Sequence, residues 1–137
     1  MKRNATAVWN GSGKEGKGNL TTQSTVLDKT QYSYKSRFED GVGTNPEELI
    51  AAAHAGCYTM KLTFTLNADG FTPDELQTKC DITLDKGEIT LSELTVTGKV
   101  PGLTAAQFST YAETARAGCL VTHLYKCETV LLSATLA

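Results

Sequence analysis

The sequence lacks a long uninterrupted hydrophobic run. Its most apolar stretch, residues 49–66, is broken by His54, Gly56 and Lys61, which argues against a membrane span. The first twenty residues also lack the apolar segment of a signal peptide. We therefore expect a cytoplasmic protein, in which cysteines stay reduced unless they perform redox chemistry or bind a metal.

The sequence also has little excess charge of either sign. Thirteen basic and 15 acidic residues give a net charge of −2, which supplies no basic surface for nucleic acid. Neither a glycine-rich phosphate loop nor a nucleophile elbow is present. With 137 residues and no internal repeat, the chain is predicted to form a single domain over residues 1–137 that needs no disulfide to fold.

Hydrophobic periodicity and turn residues predict blocks of strands and helices. In order, they are an N-terminal β region (1–44), a central helix (45–69), a strand pair (77–100), a second helical region (104–125) and a C-terminal strand (126–137). Alternating large side chains over 32–38 indicate a half-buried strand, and an apolar phase shift between Leu91 and Leu94 indicates a bulge there. Segregated blocks of this kind predict an α+β fold with mostly antiparallel sheet.

The central helix has a strong start signal and an unusual composition. Asn45, Pro46 and Glu48 occupy the positions of a cap, a first helical residue and a capping box. The helix that follows is apolar nearly all round, which is typical of a helix covered on most sides. One sheet covers only one side, so we expect a second helix or a second subunit to cover the rest.

Four cysteines need individual explanations: Cys57, Cys80, Cys119 and Cys127. Each could be a small buried packing residue, and from the residues alone this is the favoured interpretation for Cys57, Cys80 and Cys127. Cys119 follows Gly118 at a predicted helix start, where free backbone N–H groups would help to stabilise a thiolate. Cys57 lies among apolar residues and would need a nearby cation, such as Arg37, to ionise.

Two histidine–cysteine pairs raise an alternative. His54 and Cys57, and Cys119 and His123, stand at helical spacings that put each pair on one face. Together they could supply four zinc ligands, although neither pair has the spacing of a structural zinc knuckle.

A longer motif resembles a known family. Ser36-Arg37-Phe38 is followed by GTNPEELIAAAHAGC at 43–57, and AETARAGC occupies 112–119. These segments, with the Val100–Leu103 turn, resemble the osmotically inducible protein C and organic hydroperoxide resistance family. His54 and the paired glutamates are more similar to its OsmC branch. The resemblance extends over essentially the whole chain.

The resemblance implies a fold and a chemistry. The fold is an intertwined homodimer whose antiparallel sheets enclose long central helices, with a peroxide site at the interface. Cys57 would attack an organic hydroperoxide and become a sulfenic acid, and Cys119 would close a disulfide with it. Arg37 would hold Cys57 as a thiolate, and Glu47 would orient the guanidinium through a bidentate pair. No metal or other cofactor is implied.

Further expectations follow from the same resemblance. An external thiol, such as a dithiol or a lipoyl protein, would regenerate the cysteines, and no nucleic acid or membrane partner is implied. An apolar pocket formed by Ile50, Met60, Phe38 or tyrosines would favour organic over hydrogen peroxide. Family members commonly have proline after the second cysteine, where this chain has Leu120, and Cys127 is a possible substitute resolving thiol. The alternative is a zinc- or ligand-binding dimeric stress protein without peroxidase activity.

Overall fold

The computed structural model describes residues 1–125, and the chain divides into two compact units, Met1–Ile50 and Ala51–Ala137. The strand predicted at 126–137, and Cys127 with it, lies outside the described residues. All paired strands in the two sheets are antiparallel, which confirms the predicted α+β class. No helix within residues 1–125 is long and apolar enough to cross a membrane.

The N-terminal unit contains a small sheet and a short helix. Strands β1 (Ala5–Asn10), β2 (Lys17–Thr22) and β3 (Thr30–Tyr32) pair in that order. Helix α1 (Tyr34–Phe38) follows, so the strand predicted over 32–38 was wrong beyond Tyr32. The Ser33 hydroxyl accepts from the Ser36 backbone N–H at 3.1 Å, and the Ser36 hydroxyl accepts from the Ser33 N–H at 2.8 Å. This capping box supplies hydrogen-bond partners to backbone N–H groups at the start of the helix. It therefore outweighs the alternating large side chains that predicted a strand.

Helix α2 (Pro46–Ala68) begins where the sequence predicted. The Asn45 side chain accepts from the Glu48 backbone N–H at 2.8 Å, but Glu48 does not complete the predicted box. Its carboxylate instead accepts from the Thr44 hydroxyl at 2.7 Å. One stripe of α2 is buried, formed by His54, Tyr58, Leu62 and Leu66. Met60 and Phe64, on the other side, are 63% and 66% exposed.

The second unit places a hairpin beside α2. Strands β4 (Glu75–Asp85) and β5 (Glu88–Lys99) are joined by Lys86 and Gly87, both with positive φ, as in a type I′ turn. The pairing is irregular between Thr83 and Leu84. The bulge predicted between Leu91 and Leu94 was therefore misplaced: pairing is regular there, and the apolar phase breaks because Ser92 faces inward.

Two helices complete the described chain. Helix α3 (Ala105–Gly118) begins with the predicted capping box of Thr104 and Gln107, and α4 (Leu120–Leu124) follows after Cys119. Gly118 thus ends a helix, as predicted. Ala115 and Cys119 join Tyr58, Leu62 and Leu66 of α2 in the core, against which the hairpin residues Leu76, Leu94 and Val96 pack.

Candidate active site

Two of the predicted site cysteines meet in the second unit. Cys57 lies on α2, Cys119 lies at the break between α3 and α4, and their sulfur atoms are 3.3 Å apart. A disulfide has an S–S bond of about 2.05 Å, so about 1.2 Å of approach separates this contact from a covalent bond. Cys119 is fully buried, whereas Cys57 is partly exposed. The two thiols are therefore positioned to exchange with each other, but only one of them is open to a reagent from outside.

The surroundings of Cys119 favour its ionised form. Burial raises the pKa of this thiol, but the backbone N–H of Thr122, the Cys57 thiol, the Thr122 hydroxyl and the Val121 N–H together lower it. The net direction is downward. A lowered pKa supplies more thiolate, the nucleophilic form, near neutral pH.

Leu120 does not prevent the helix start that proline would have enforced. It is the first residue of α4, and its side chain is 75% exposed. The Cys119 carbonyl accepts from the His123 N–H at 3.2 Å. With leucine in place of the family's proline, a helix still begins directly after Cys119.

The other two predicted site residues pair in the N-terminal unit. Arg37 Nε and Nη2 donate to Glu47 Oε1 at 2.9 and 2.6 Å. The expected bidentate pair is therefore wrong in detail, because both nitrogens share one oxygen. Glu47 Oε2 is buried and has no hydrogen-bond partner among the described residues. The Arg37 side chain is 41% exposed and that of Glu47 only 14%. The more buried carboxylate therefore restricts the orientation of the more exposed guanidinium.

A buried polar cluster surrounds His54. Nδ1 lies 2.7 Å from the Ser92 hydroxyl and 3.3 Å from the Tyr125 hydroxyl, and Nε2 lies 3.0 Å from the Thr122 hydroxyl. Ser92 in turn contacts Cys80, with 3.3 Å between Oγ and Sγ. His54 is 3% exposed, and burial lowers its pKa, which favours the neutral ring.

These contacts do not support the zinc hypothesis. The His54 nitrogens face hydroxyl groups, and His123 Nε2 lies 2.8 Å from the Ala117 carbonyl oxygen. Within residues 1–125, no three His, Cys, Asp or Glu side chains are grouped as metal ligands.

Sequence reasoning missed Ser92 and Thr122. Ser92 had a signal: it is the polar residue that interrupts the apolar phase of β5. Thr122 had none, since a threonine in a short helix is usually a surface residue.

An open groove runs between α2 and β4, with a volume of about 620 Å³. Its lining includes Gly56, Thr59, Met60, Phe64 and Leu76. Met60 was expected in an apolar pocket and lies here. Ile50 and Phe38, named with it, belong to the N-terminal unit.

Comparison with known proteins identifies the family. The model of the family described as OsmC-like protein matches residues 38–131. Peroxiredoxin OsmC of Escherichia coli (strain K12) and its namesake from Shigella flexneri are each 43% identical over 129 residues, 91% of this chain and 90% of theirs.

Solved structures share the fold. An organic hydroperoxide resistance protein from Elizabethkingia anophelis is similar with a TM-score of 0.65 at 18% identity, covering 93% of this chain and 91% of that one. An OsmC-like protein from Mycoplasma pneumoniae gives a TM-score of 0.69 at 13% identity, covering 92% and 88%. These matches confirm the predicted resemblance and the OsmC-like fold of the single chain. The chain belongs to the family of OsmC-like proteins.

Proposed function

We propose that this chain is a cysteine-based peroxidase that reduces organic hydroperoxides to alcohols, with Cys57 as the attacking thiolate and Cys119 as the resolving thiol. The observation that carries the proposal is the 3.3 Å contact between the two sulfur atoms. The names of the relatives, peroxiredoxin and organic hydroperoxide resistance protein, agree with it.

The chemistry balances without a cofactor. The Cys57 thiolate attacks one peroxide oxygen, the O–O bond breaks, and the alkoxide takes a proton to leave as the alcohol. Cys57 is then a sulfenic acid, and the Cys119 thiolate attacks its sulfur, releasing hydroxide that becomes water. The disulfide protects Cys57 from further, irreversible oxidation, and two electrons from an external thiol restore both cysteines.

Exposure assigns the two roles. A hydroperoxide reaches a sulfur only where the side chain is open, and Cys57 is partly exposed while Cys119 is 0% exposed. The lowered pKa of Cys119 suits a second nucleophile. We therefore assign the first attack to Cys57 and the second to Cys119.

Arg37 and Glu47 complete the proposed site. A guanidinium stays protonated near neutral pH and can stabilise both a thiolate and a developing alkoxide. The ion pair with Glu47 restricts its orientation. The proposed role of Arg37 is to supply this positive charge to the Cys57 thiolate, and that of Glu47 is to orient the guanidinium.

The cysteine roles can be tested by substitution. We expect Cys57→Ser to abolish consumption of cumene hydroperoxide in the presence of a dithiol such as dihydrolipoamide, because no sulfenic acid can form. Cys119→Ser should retain the first turnover but lose the protective disulfide and inactivate over successive turnovers. Peroxide consumption is followed colorimetrically.

Cys80→Ser is the matched control, since Cys80 is also a partly exposed free thiol. It should keep the native rate. Full activity in Cys57→Ser would contradict the assignment.

The roles of Arg37 and Glu47 can be tested in the first reaction step, the attack of Cys57 on the hydroperoxide. A hydrogen bond to a charged group contributes about 1.5–3 kcal/mol, so Arg37→Met should lower kcat/KM for cumene hydroperoxide roughly 10- to 100-fold. Glu47→Gln should cause a smaller loss, because the charge remains but its support is weakened. Stopped-flow kinetics measure the step, and Lys35→Gln on the same helix is the control. An Arg37→Met variant with native kcat/KM would remove Arg37 from the site.

We also propose that the functional unit is a homodimer. Gly56, Met60 and Phe64 stand four residues apart on α2, about 200° around the helix from the buried stripe, by its 100° turn per residue. Met60 and Phe64 are mostly exposed, and a Cβ at Gly56 would meet nothing within 4 Å. Large exposed apolar side chains lining one groove are typical of an association surface. We propose that a second copy covers this face, which agrees with the apolar composition of the helix.

Solution mass tests the dimer. The native chain, of 14.7 kDa, should sediment as a dimer, and Phe64→Glu should shift it toward the monomer because a carboxylate would be buried at the interface. Val26→Glu, at a residue that is 82% exposed in the other unit, should leave the mass unchanged. A native monomer at micromolar concentration, or an unchanged mass in Phe64→Glu, would contradict the proposal.

The remaining partners follow from the reaction. An oxidised cysteine pair needs a thiol reductant, and a dithiol or lipoyl protein can reduce it in one encounter. We place this cycle in the cytoplasm, where thiol reductants are maintained.

A further inference from the structure

A chain of polar side chains leads from Cys80 to Cys119 through the interior of the second unit. Cys80 contacts Ser92, Ser92 contacts His54 Nδ1, and His54 Nε2 contacts Thr122, at 3.3, 2.7 and 3.0 Å. Thr122 is the third residue of the helix that begins after Cys119. A side chain at a cap and the third residue beyond it are neighbours in the first turn of a helix, and the Thr122 hydroxyl is one of the groups that lower the pKa of the Cys119 thiol.

The geometry points to His54 as a positioning residue for Cys119, acting through the Thr122 hydroxyl to control the ionisation of the thiol. This inference rests on the proposed role of Cys119 as the resolving thiol. His54 lies on the same helix as Cys57, but its ring nitrogens contact the Ser92 and Thr122 hydroxyl groups. The inference gives this buried histidine a function.

The tautomer of His54 decides which way the hydroxyl points. A neutral imidazole has one donor and one acceptor nitrogen. If Nε2 carries the proton, it donates to Thr122 Oγ1, and the Thr122 hydrogen is free to point at the Cys119 sulfur. Nδ1 then accepts from the Ser92 or Tyr125 hydroxyl, and the Cys80 thiol donates to Ser92. The donors in this arrangement then all point from Cys80 toward Thr122, and their polarisation makes the Thr122 hydroxyl a stronger donor to a Cys119 thiolate.

The same chain can serve the neutral thiol. If Nδ1 carries the proton, Nε2 accepts from the Thr122 hydroxyl, and Thr122 can accept from the Cys119 S–H. The Nδ1–H tautomer of His54 therefore suits the neutral Cys119 thiol, and the Nε2–H tautomer suits the thiolate. Burial disfavours a charged ring at His54, so the exchange is between neutral tautomers.

Other ionisable groups lie near this chain and belong in any account of its pH dependence. Around Cys119, His54 and Thr122 they are Cys57, Tyr58 and Lys61 of α2, Cys80 of β4, Glu113 and Arg116 of α3, His123 of α4, and Tyr125 after it. Substituting His54 or Thr122 leaves all of these in place, so a change in the Cys119 pKa reports the chain itself.

The direct test measures the ionisation of Cys119 without any peroxide. The full-length reduced protein is labelled with ¹³Cβ-cysteine, and the Cys119 resonance is followed by NMR as a function of pH. In His54→Asn the amide lies near the Nδ1 position, so the hydrogen bond to Thr122 is lost. In His54→Gln the amide lies near the Nε2 position, so the hydrogen bond to Thr122 is kept. We expect His54→Asn to raise the Cys119 pKa by about one unit, tenfold in the ionisation constant, and His54→Gln to restore most of the native value.

Thr122 gives a second matched pair. Thr122→Val removes the hydroxyl at nearly constant volume and should raise the Cys119 pKa as His54→Asn does, while Thr122→Ser should not. The inference is overturned if His54→Asn and Thr122→Val both leave the Cys119 pKa unchanged, or if His54→Gln shifts it as far as His54→Asn.

The resolving step supplies a kinetic signature. A tenfold loss of thiolate at neutral pH is partly offset by the higher nucleophilicity of a more basic thiolate, so His54→Asn should slow disulfide closure about threefold. Above both pKa values it should be no slower than the native protein. An equal slowing at every pH would indicate misplacement of Cys119 and would overturn the inference. If the native protein forms no disulfide with peroxide, the proposed function fails, while the NMR titration still decides the role of His54.

Discussion

The proposed chemistry rests on the contact between the sulfur atoms of Cys57 and Cys119. A long helix with a buried stripe fixes Cys57, and a helix break at Gly118 turns Cys119 toward it at 3.3 Å. The two thiols differ in exposure, because the Cys119 side chain is buried, and the groups around Cys119 lower its pKa. One is open to a substrate, and the other is enclosed and biased toward its thiolate. Distance, exposure and ionisation are thus consistent with the proposed order, in which Cys57 attacks first and Cys119 second.

The interior around this pair is more polar than a simple packing core. His54, Ser92 and Thr122 bring hydroxyl and imidazole groups from three elements into one cluster. Buried polar groups are costly unless they are satisfied, and here each ring nitrogen of His54 has a hydroxyl within hydrogen-bond distance. A fully satisfied cluster fixes the orientation of its members, so the side chains of His54, Ser92 and Thr122 have defined orientations in this interior.

Much of this could be predicted from the sequence, where local rules were strong. The starts of α2 and α3 and the turn between β4 and β5 follow from Asn45, Thr104 and Gly87, because capping and positive φ are local properties. The α+β class followed from the order of the blocks. The cysteine pair did not: its residues are 62 positions apart, and only the family resemblance joined them. The strand predicted at 32–38 failed because two serines formed a cap, and the hydroxyl partners of His54 could be found only in three dimensions.

The central claim is that Cys57 and Cys119 form one redox pair, and peptide mapping tests it most directly. The reduced protein is treated with one equivalent of cumene hydroperoxide without reductant, its remaining thiols are blocked, and its peptides are mapped by mass spectrometry. We expect a single linked peptide joining Cys57 to Cys119, with Cys80 and Cys127 blocked as free thiols. A sulfinic acid at Cys57 beside a free Cys119, or a link from Cys57 to Cys127, would contradict it.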